Sequence, residues 1–317
     1  MLVVCGEAVL DLISDGSPAG YRASPGGSPV NVAVGAARLG LPTGLLARFG
    51  GGCFGRMLRS YVAAAGVDLS LSVNADEPPM LALVGLDPSG AASYDFYVDG
   101  TAERGWQEHE VPDALPDEAQ AIQVGSISSW LHPGAGLISQ LVVREHHRGA
   151  VLISFDPNLR PALVQDPGVA RACVEQVAGL AHVVKVSAED LRWLFPMTDP
   201  DDSARRWAHR GPALVVLTDG AEGARAYRPG RPAHSLPAHD VPVVDTVGAG
   251  DAFTAGLLVA LSDRGRLHTQ GLDDIGDDEL GRILATAGMV AALTCSRSGA
   301  DPPTRAELEA AFPASRR

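Results

Sequence analysis

Short apolar runs and longer amphipathic stretches alternate along this chain. Residues 2–5 with 8–13, 44–47, 121–125, 151–155, 182–186 and 213–218 are almost continuously apolar, as strands covered on both faces are. Between them, residues 29–39, 54–65, 134–147 and 168–178 are Ala-rich and amphipathic, and each predicts a helix. The alternation predicts an α/β fold: a central, mostly parallel sheet flanked by helices on both faces.

One segment breaks the rhythm. Residues 79–101 hold an extended run at 80–86, the turn sequence Asp87-Pro88-Ser89-Gly90, and a second extended run at 92–98. That is a hairpin pattern, and a hairpin inserted in an α/β chain needs a place outside the main sheet. It is read either as a flap over a ligand site or as an edge decoration. Residues 109–118 and 228–240 are Pro-rich and read as surface connections, and the tail after Phe312 reads as loose. No internal repeat is seen.

Composition narrows the classes. The 317 residues are 46% hydrophobic and 20% charged, with a net charge of -13. Lys185 is the sole lysine, so a basic nucleic-acid footprint is missing. Cys5, Cys53, Cys173 and Cys295 are scattered without a C-x-x-C pair, and no H-E-x-x-H occurs. This argues against zinc and for core cysteines in a reducing, cytoplasmic compartment. The apolar start lacks a basic leader and meets Asp11 early, so it reads as a first strand rather than a signal peptide. No apolar run is long enough to span a membrane.

The chemistry concentrates at Val243-Val244-Asp245-Thr246-Val247-Gly248-Ala249-Gly250-Asp251-Ala252-Phe253. An apolar run ends, small residues follow, and an apolar helix begins. The amides of Gly248, Ala249 and Gly250 at a helix N-terminus make an anion site, and Asp251 in the first turn can take a proton from an attacking hydroxyl. A bare G-A-G-D serves equally well to stabilise a helix end. The second motif is Gly26-Gly27-Ser28-Pro29-Val30-Asn31. Pro29 suits a first helical turn with Ser28 as its cap. Asn31 offers a donor and an acceptor, which suits a polyol, although it can also pair locally.

Together the two segments resemble the two signatures of the ribokinase-like (PfkB-type) carbohydrate kinases. Within that family the chain is most similar to bacterial fructokinases. Supporting stretches are Gly6-Glu7-Ala8-Val9-Leu10-Asp11, Asp156-Pro157-Asn158-Leu159-Arg160 and Ser296 to Pro303. The resemblance implies one ribokinase-like domain over residues 1–317, with a small β lid built mainly from residues 68–101 and joined by 12–24. It implies transfer of the γ-phosphoryl group of ATP to a hydroxyl of a small carbohydrate, fructose first, with Mg2+ and a candidate K+. Asp251 is then the base, and Gly248, Ala249 and Gly250 the anion hole. Asp11, Gly26, Gly27, Asn31, Arg160 and Tyr97 or Phe96 form the sugar side. Asp11 is alternatively a strand-end cap, and Arg160 a surface ion pair. Lys185, Ser187, Thr218, Gly220 and Gly223 form the nucleotide side, and Ala287, Gly288 and Ala291 give room beside the adenine.

Two departures from the family pattern matter. Ser187-Ala188-Glu189-Asp190 stands where relatives carry N-x-x-E, so Asp190 is the candidate magnesium contact, through water. Asp245 and Val247 match half of a monovalent-cation site, but a hydroxyl near Pro303 is missing. No P-loop or G-x-S-x-G sequence occurs. The alternative acceptors are 2-keto-3-deoxygluconate, which wants an arginine such as Arg104 or Arg160 at its carboxylate, and then a nucleoside, which wants an aromatic clamp. A catalytically silent sugar- or nucleotide-binding regulator is the reading from another class. A lid that projects from one subunit implies a homodimer paired through it, with no nucleic-acid or membrane partner.

Overall fold

The apolar runs lie side by side in one sheet. The computed structural model describes residues 1–17, 20–86 and 92–312. Its strands are β1 (Leu2–Cys5), β2 (Val9–Ser14), β3 (Tyr21–Gly26), β4 (Thr43–Leu46), β5 (Arg48–Phe49), β6 (Val73–Asn74) and β7 (Met80–Leu86). They continue with β8 (Ala92–Tyr97), β9 (Ala121–Gly125), β10 (Leu152–Asp156), β11 (Val183–Ser187), β12 (Leu214–Thr218), β13 (Ala224–Tyr227) and β14 (His234–Leu236). Eight of them form the main sheet in the order β14-β13-β12-β11-β10-β9-β1-β4. From β12 to β4 all neighbours are parallel, while β13 and β14 are antiparallel additions.

Period-two alternation sorts these strands between two cores. Val4, Leu152, Val183 and Leu214 pack into one, and Val3, Ile153, Val184 and Val215 into the other. Both faces are therefore covered, which is why the runs read as continuous rather than alternating. Helices Ser28–Arg38, Ala249–Asp263 and Asp277–Cys295 contribute to the first core, and Gly134–Arg148 and Pro167–Leu180 to the second.

A second sheet of four strands, ordered β3-β2-β7-β8, stands apart from the first. β2 and β7 are parallel at its centre, and β3 and β8 flank them antiparallel. The expected hairpin runs are β7 and β8; the Asp87–Gly90 turn lies outside the described residues, as does the tail from residue 313. Residues 8–13 do not extend the first sheet. The chain turns over Gly6 to Ala8, and β2 joins the small sheet instead. Residues 68–79 are not in that sheet either, since β6 pairs with β5 in a separate two-stranded ribbon. The connection at 228–240 contains β14, an edge strand that its prolines concealed. Among the described residues, no helix is long and apolar enough to cross a membrane.

Candidate active site

Parallel strands end on the same side of a sheet, and ligands of such sheets sit beyond those ends. Ser126, Asn158, Ser187 and Thr218, at or just past the ends of β9, β10, β11 and β12, all line a cavity of about 800 Å³. The small sheet closes its other wall with Val9, Asp11, Ala82, Tyr94 and Phe96. Two helix N-termini reach it, at Gly27–Asn31 and Gly248–Asp251.

Asp251 is the best-held group in the cavity. Its Oδ1 accepts from Ser28 Oγ at 2.6 Å and Asn158 Nδ2 at 3.2 Å, and its Oδ2 from Asn31 Nδ2 at 2.8 Å. A carboxylate offers about four acceptor positions, so one remains open. Asp251 is only 6% exposed. Burial pushes its pKa up, the hydrogen bonds from Ser28 and Asn31 pull it down, the nearby Asp156 raises it and Lys185 lowers it; the net direction is upward. Ser28 is thus not a helix cap. Gly27 holds that position without a side-chain cap, and the Ser28 hydroxyl goes to Asp251.

The loop before Asp251 is shaped by Gly248, whose φ of 76 lies in the left-handed region. A Cβ there would also fall 2.5 Å from the Ala300 methyl. Of the three expected anion-hole amides, that of Ala249 bonds the Thr246 carbonyl at 3.2 Å, and Ala249 does not line the cavity. Gly248 and Gly250 do.

Below Gly250 lies the one lysine. Lys185 sits in the β11 run where a valine would fit, 4% exposed. Its Nζ donates to Asp156 Oδ2 at 3.0 Å and lies 2.9 Å from where a Gly250 Cβ would be. Burial works against its charge, but Asp156, then Asp190 and Asp251, outweigh it and hold the pKa above the usual lysine value. Thr254 Oγ1 gives Asp156 Oδ2 a second, longer bond at 3.3 Å.

The expected sugar residues converge across the cavity. Asp11 on β2 lies over Gly26, where a Cβ would sit 2.3 Å from its Oδ2. Its pKa is raised to about 6 by burial, against the pull of Arg160 and with a further push from Asp251. Gly27, at φ 99, is pressed against the chain at Glu7 and Val9. Arg160 folds onto its own loop, donating from Nη1 to Asn158 Oδ1 at 2.6 Å, Leu159 O at 2.9 Å and Asn158 O at 3.1 Å. Tyr97 is not in the wall. Strand alternation turns it away, 58% exposed, and brings Tyr94 and Phe96 to the cavity as a stacked pair with centroids 6.1 Å apart.

The expected nucleotide residues divide. Lys185, Ser187, Thr218 and Gly220 line the cavity. Gly223 does not; a Cβ there would meet the Leu236 carbonyl at 2.1 Å, so it serves the β13–β14 edge. Ala287 is fully buried against helix Ala249–Asp263 at Gly256, and Gly288 lies against Leu236 and His239. Neither they nor Ala291 line the cavity. Asp190 does, with Oδ1 accepting from the Leu159 amide at 3.1 Å. Burial and Asp156 raise its pKa to about 6.

Residues 1–307 match the profile described as pfkB family carbohydrate kinase. The chain belongs to that family. A fructokinase of Rhizobium leguminosarum bv. trifolii is 36% identical over 264 residues, 82% of this chain and 79% of its own. One of Escherichia coli is 34% identical over 310 residues, covering 96% and 97% of the two chains. The double-mutant fructokinase from Vibrio cholerae O395, solved with fructose, ADP and potassium ion, superposes with a TM-score of 0.85 at 29% identity, over 98% of this chain and 97% of that one.

A carbohydrate kinase moves a phosphoryl group to a sugar hydroxyl, and this cavity has the parts for both. Its lining holds Glu7, Asp11, Glu189, Asp190, Asp219 and Asp251 against Arg160, Lys185 and Arg192. That acidic excess repels a bare polyphosphate and fits one neutralised by a divalent cation. Asp245 does not line the cavity. Its carboxylate accepts from Val247 N at 3.0 Å and Gly299 N at 2.8 Å, bracing the Gly248 loop, and each oxygen keeps a lone pair for a cation. Asn158, Asp156 and Glu7 stood inside the quoted motifs without a role. Nothing in local sequence says that their side chains turn inward; that depends on where β1 and β10 end.

Proposed function

We propose that this carbohydrate kinase transfers the γ-phosphoryl group of ATP to a hydroxyl of fructose, with Asp251 as the base. What carries the reading is the Asp251 carboxylate, held by three side-chain donors beside a helix N-terminus. The sugar lies between Asp11, Asn31 and Arg160, with the acceptor hydroxyl on the remaining lone pair of Asp251. The transition state is loose and its oxygen becomes acidic late, so a carboxylate suffices and positioning does most of the work. The amides at Gly248 and Gly250 and the Lys185 ammonium face the charge on the migrating group. Asp190 and Glu189 would hold Mg2+ brought with the nucleotide, which would neutralise phosphate charge, and Asp245 would hold K+ beside the anion-hole loop. The four free cysteines support a reducing, cytoplasmic setting.

The small sheet acts as a lid over residues 1–317 read as one domain, and exposed Tyr21 and Tyr97 offer a face to a second copy in a homodimer. Hydrogen exchange of β7 and β8 should slow when fructose and an ATP analogue are both added; unchanged rates remove the lid.

A nucleoside acceptor is the second reading, because Tyr94 and Phe96 supply an aromatic surface. The keto-deoxy acid loses one of its two candidate arginines, since Arg104 is committed to the His132 carbonyl and Asp99 outside the cavity, while Arg160 lines it. A turnover screen of ketoses, aldoses, keto-deoxy acids and nucleosides, read as ADP release, tests the assignment. Fructose should lead, and Asp251→Asn should lose about 10³-fold in kcat. Binding of sugar without any ADP from the wild type leaves the regulator reading; full turnover in Asp251→Asn removes the base.

A further inference from the structure

We propose that Asn158 is a positioning residue that links recognition of the substrate at Arg160 to the orientation and charge of Asp251. This deepens the kinase reading and rests on it. The amide of Asn158 stands between the two groups: Oδ1 accepts from Arg160 Nη1 at 2.6 Å, and Nδ2 donates to Asp251 Oδ1 at 3.2 Å. Chemistry dictates that orientation. Flipped, the amide would set its oxygen against a carboxylate and its NH2 against a guanidinium, which has only donors.

The backbone is bent to make this bridge. β10 ends at Asp156, and Asn158 takes φ 38, a region that asparagine tolerates better than most residues. The other two donors to Asp251, Ser28 and Asn31, share one helix and are fixed together. Asn158 alone among the three comes from the loop that carries a substrate-side cation. Among the described residues Arg160 Nε and Nη2 have no acceptor, so they remain for a sugar oxygen. When a sugar draws on them, the pull passes through Nη1 to the amide and from there to the base.

The charged groups acting on Asp251 are Asp156 on β10 and Lys185 on β11, with Asp11 on β2 facing it and drawn in turn to Arg160 on the same loop as Asn158. Asn158 therefore works beside fixed neighbours, as the adjustable donor that favours the ionised base.

Two variants separate this role from loop shape. Aspartate and glycine both accept a positive φ. Asn158→Asp keeps the acceptor for Arg160 but replaces the donor by a carboxylate facing Asp251. Asn158→Gly removes both. The acidic limb of kcat should rise by about one pH unit in Asn158→Gly and further in Asn158→Asp. At pH 7 kcat should fall roughly ten-fold, with the sugar KM changed less in Asn158→Asp, where Arg160 is still held. Infrared titration of the Asp251 carboxyl band, assigned by subtracting Asp251→Asn and repeated in an Asp11→Asn background to remove the neighbouring carboxyl that Asp251 pushes upward, should show the same order. That titration needs no turnover. A wild type that phosphorylates nothing sinks the kinase assignment, while the band still decides the link. An active wild type whose limb and band stay put in both variants overturns the link alone.

Discussion

The end of the cavity around Asp251 and the end around Thr218 use small residues for opposite purposes. Near Asp251, glycine makes room for a working side chain: Gly26 for the Asp11 carboxylate and Gly250 for the Lys185 ammonium. Beyond Thr218, smallness is spent on packing. Gly223 admits the chain at Leu236, and Gly256 and Ala287 let two helices touch. A small residue in sequence therefore marks a close approach without saying what approaches. The polar residues differ in the same way. At the Asp251 end they come from four distant segments and bond one another, whereas Thr218 Oγ1 reaches the Val186 carbonyl at 3.4 Å and Asp219 pairs with Arg225 and the exposed Arg192.

The contrast is sharpest at Lys185. Replacing it with Met strands Asp156, 2% exposed, and should cost about 3–5 kcal/mol of stability together with most turnover. Adding Asp156→Leu should restore much of the stability and none of the activity. Recovered turnover in the double variant would show that the ammonium is only a core device. Denaturant melts beside ADP release decide it.

Asp11 should behave in the reverse sense. Its folded pKa of about 6 lies above the ordinary aspartate value of 3.8. Its contribution to stability is fully present below pH 4 and is lost as pH rises through 6. Asp11→Asn should therefore stabilise the protein at pH 7.5 by up to about 3 kcal/mol, flatten the melting temperature between pH 4 and 6, and raise the sugar KM. A variant less stable than wild type at pH 7.5 would contradict the buried-charge account.

The smallest effect belongs to the packing end. A Cβ at Gly256 would lie 2.9 Å from Ala287 Cα, so Gly256→Val should cost about 1–3 kcal/mol with kcat per folded molecule close to wild type. A selective rise in the ATP KM at unchanged stability would return residues 287–291 to the nucleotide site.

The main sheet was legible because each of its inner strands is a short apolar run that ends near a polar residue of the cavity, as β10 does at Asp156 and β11 at Ser187. β2 misled because apolar content marks burial and not which sheet a strand joins. Tyr97 misled by parity, since one step along β8 exchanges faces and hairpin register is not written locally. Ser28 has the right neighbours for a cap, but its partner lies 223 residues away.

By itself the chain determined its alternation of strand and helix, the two glycine-led helix starts and the acid beside one of them, because these follow from periodicity and local backbone preference. Tertiary structure alone decided which side chains meet: Ser28, Asn31 and Asn158 on Asp251, Lys185 on Asp156, Ala287 on Gly256. Those pairings arise from the order in which strands stack and from the faces that helices turn inward, and contacts between residues 29 to 223 positions apart leave no trace in either one's neighbourhood.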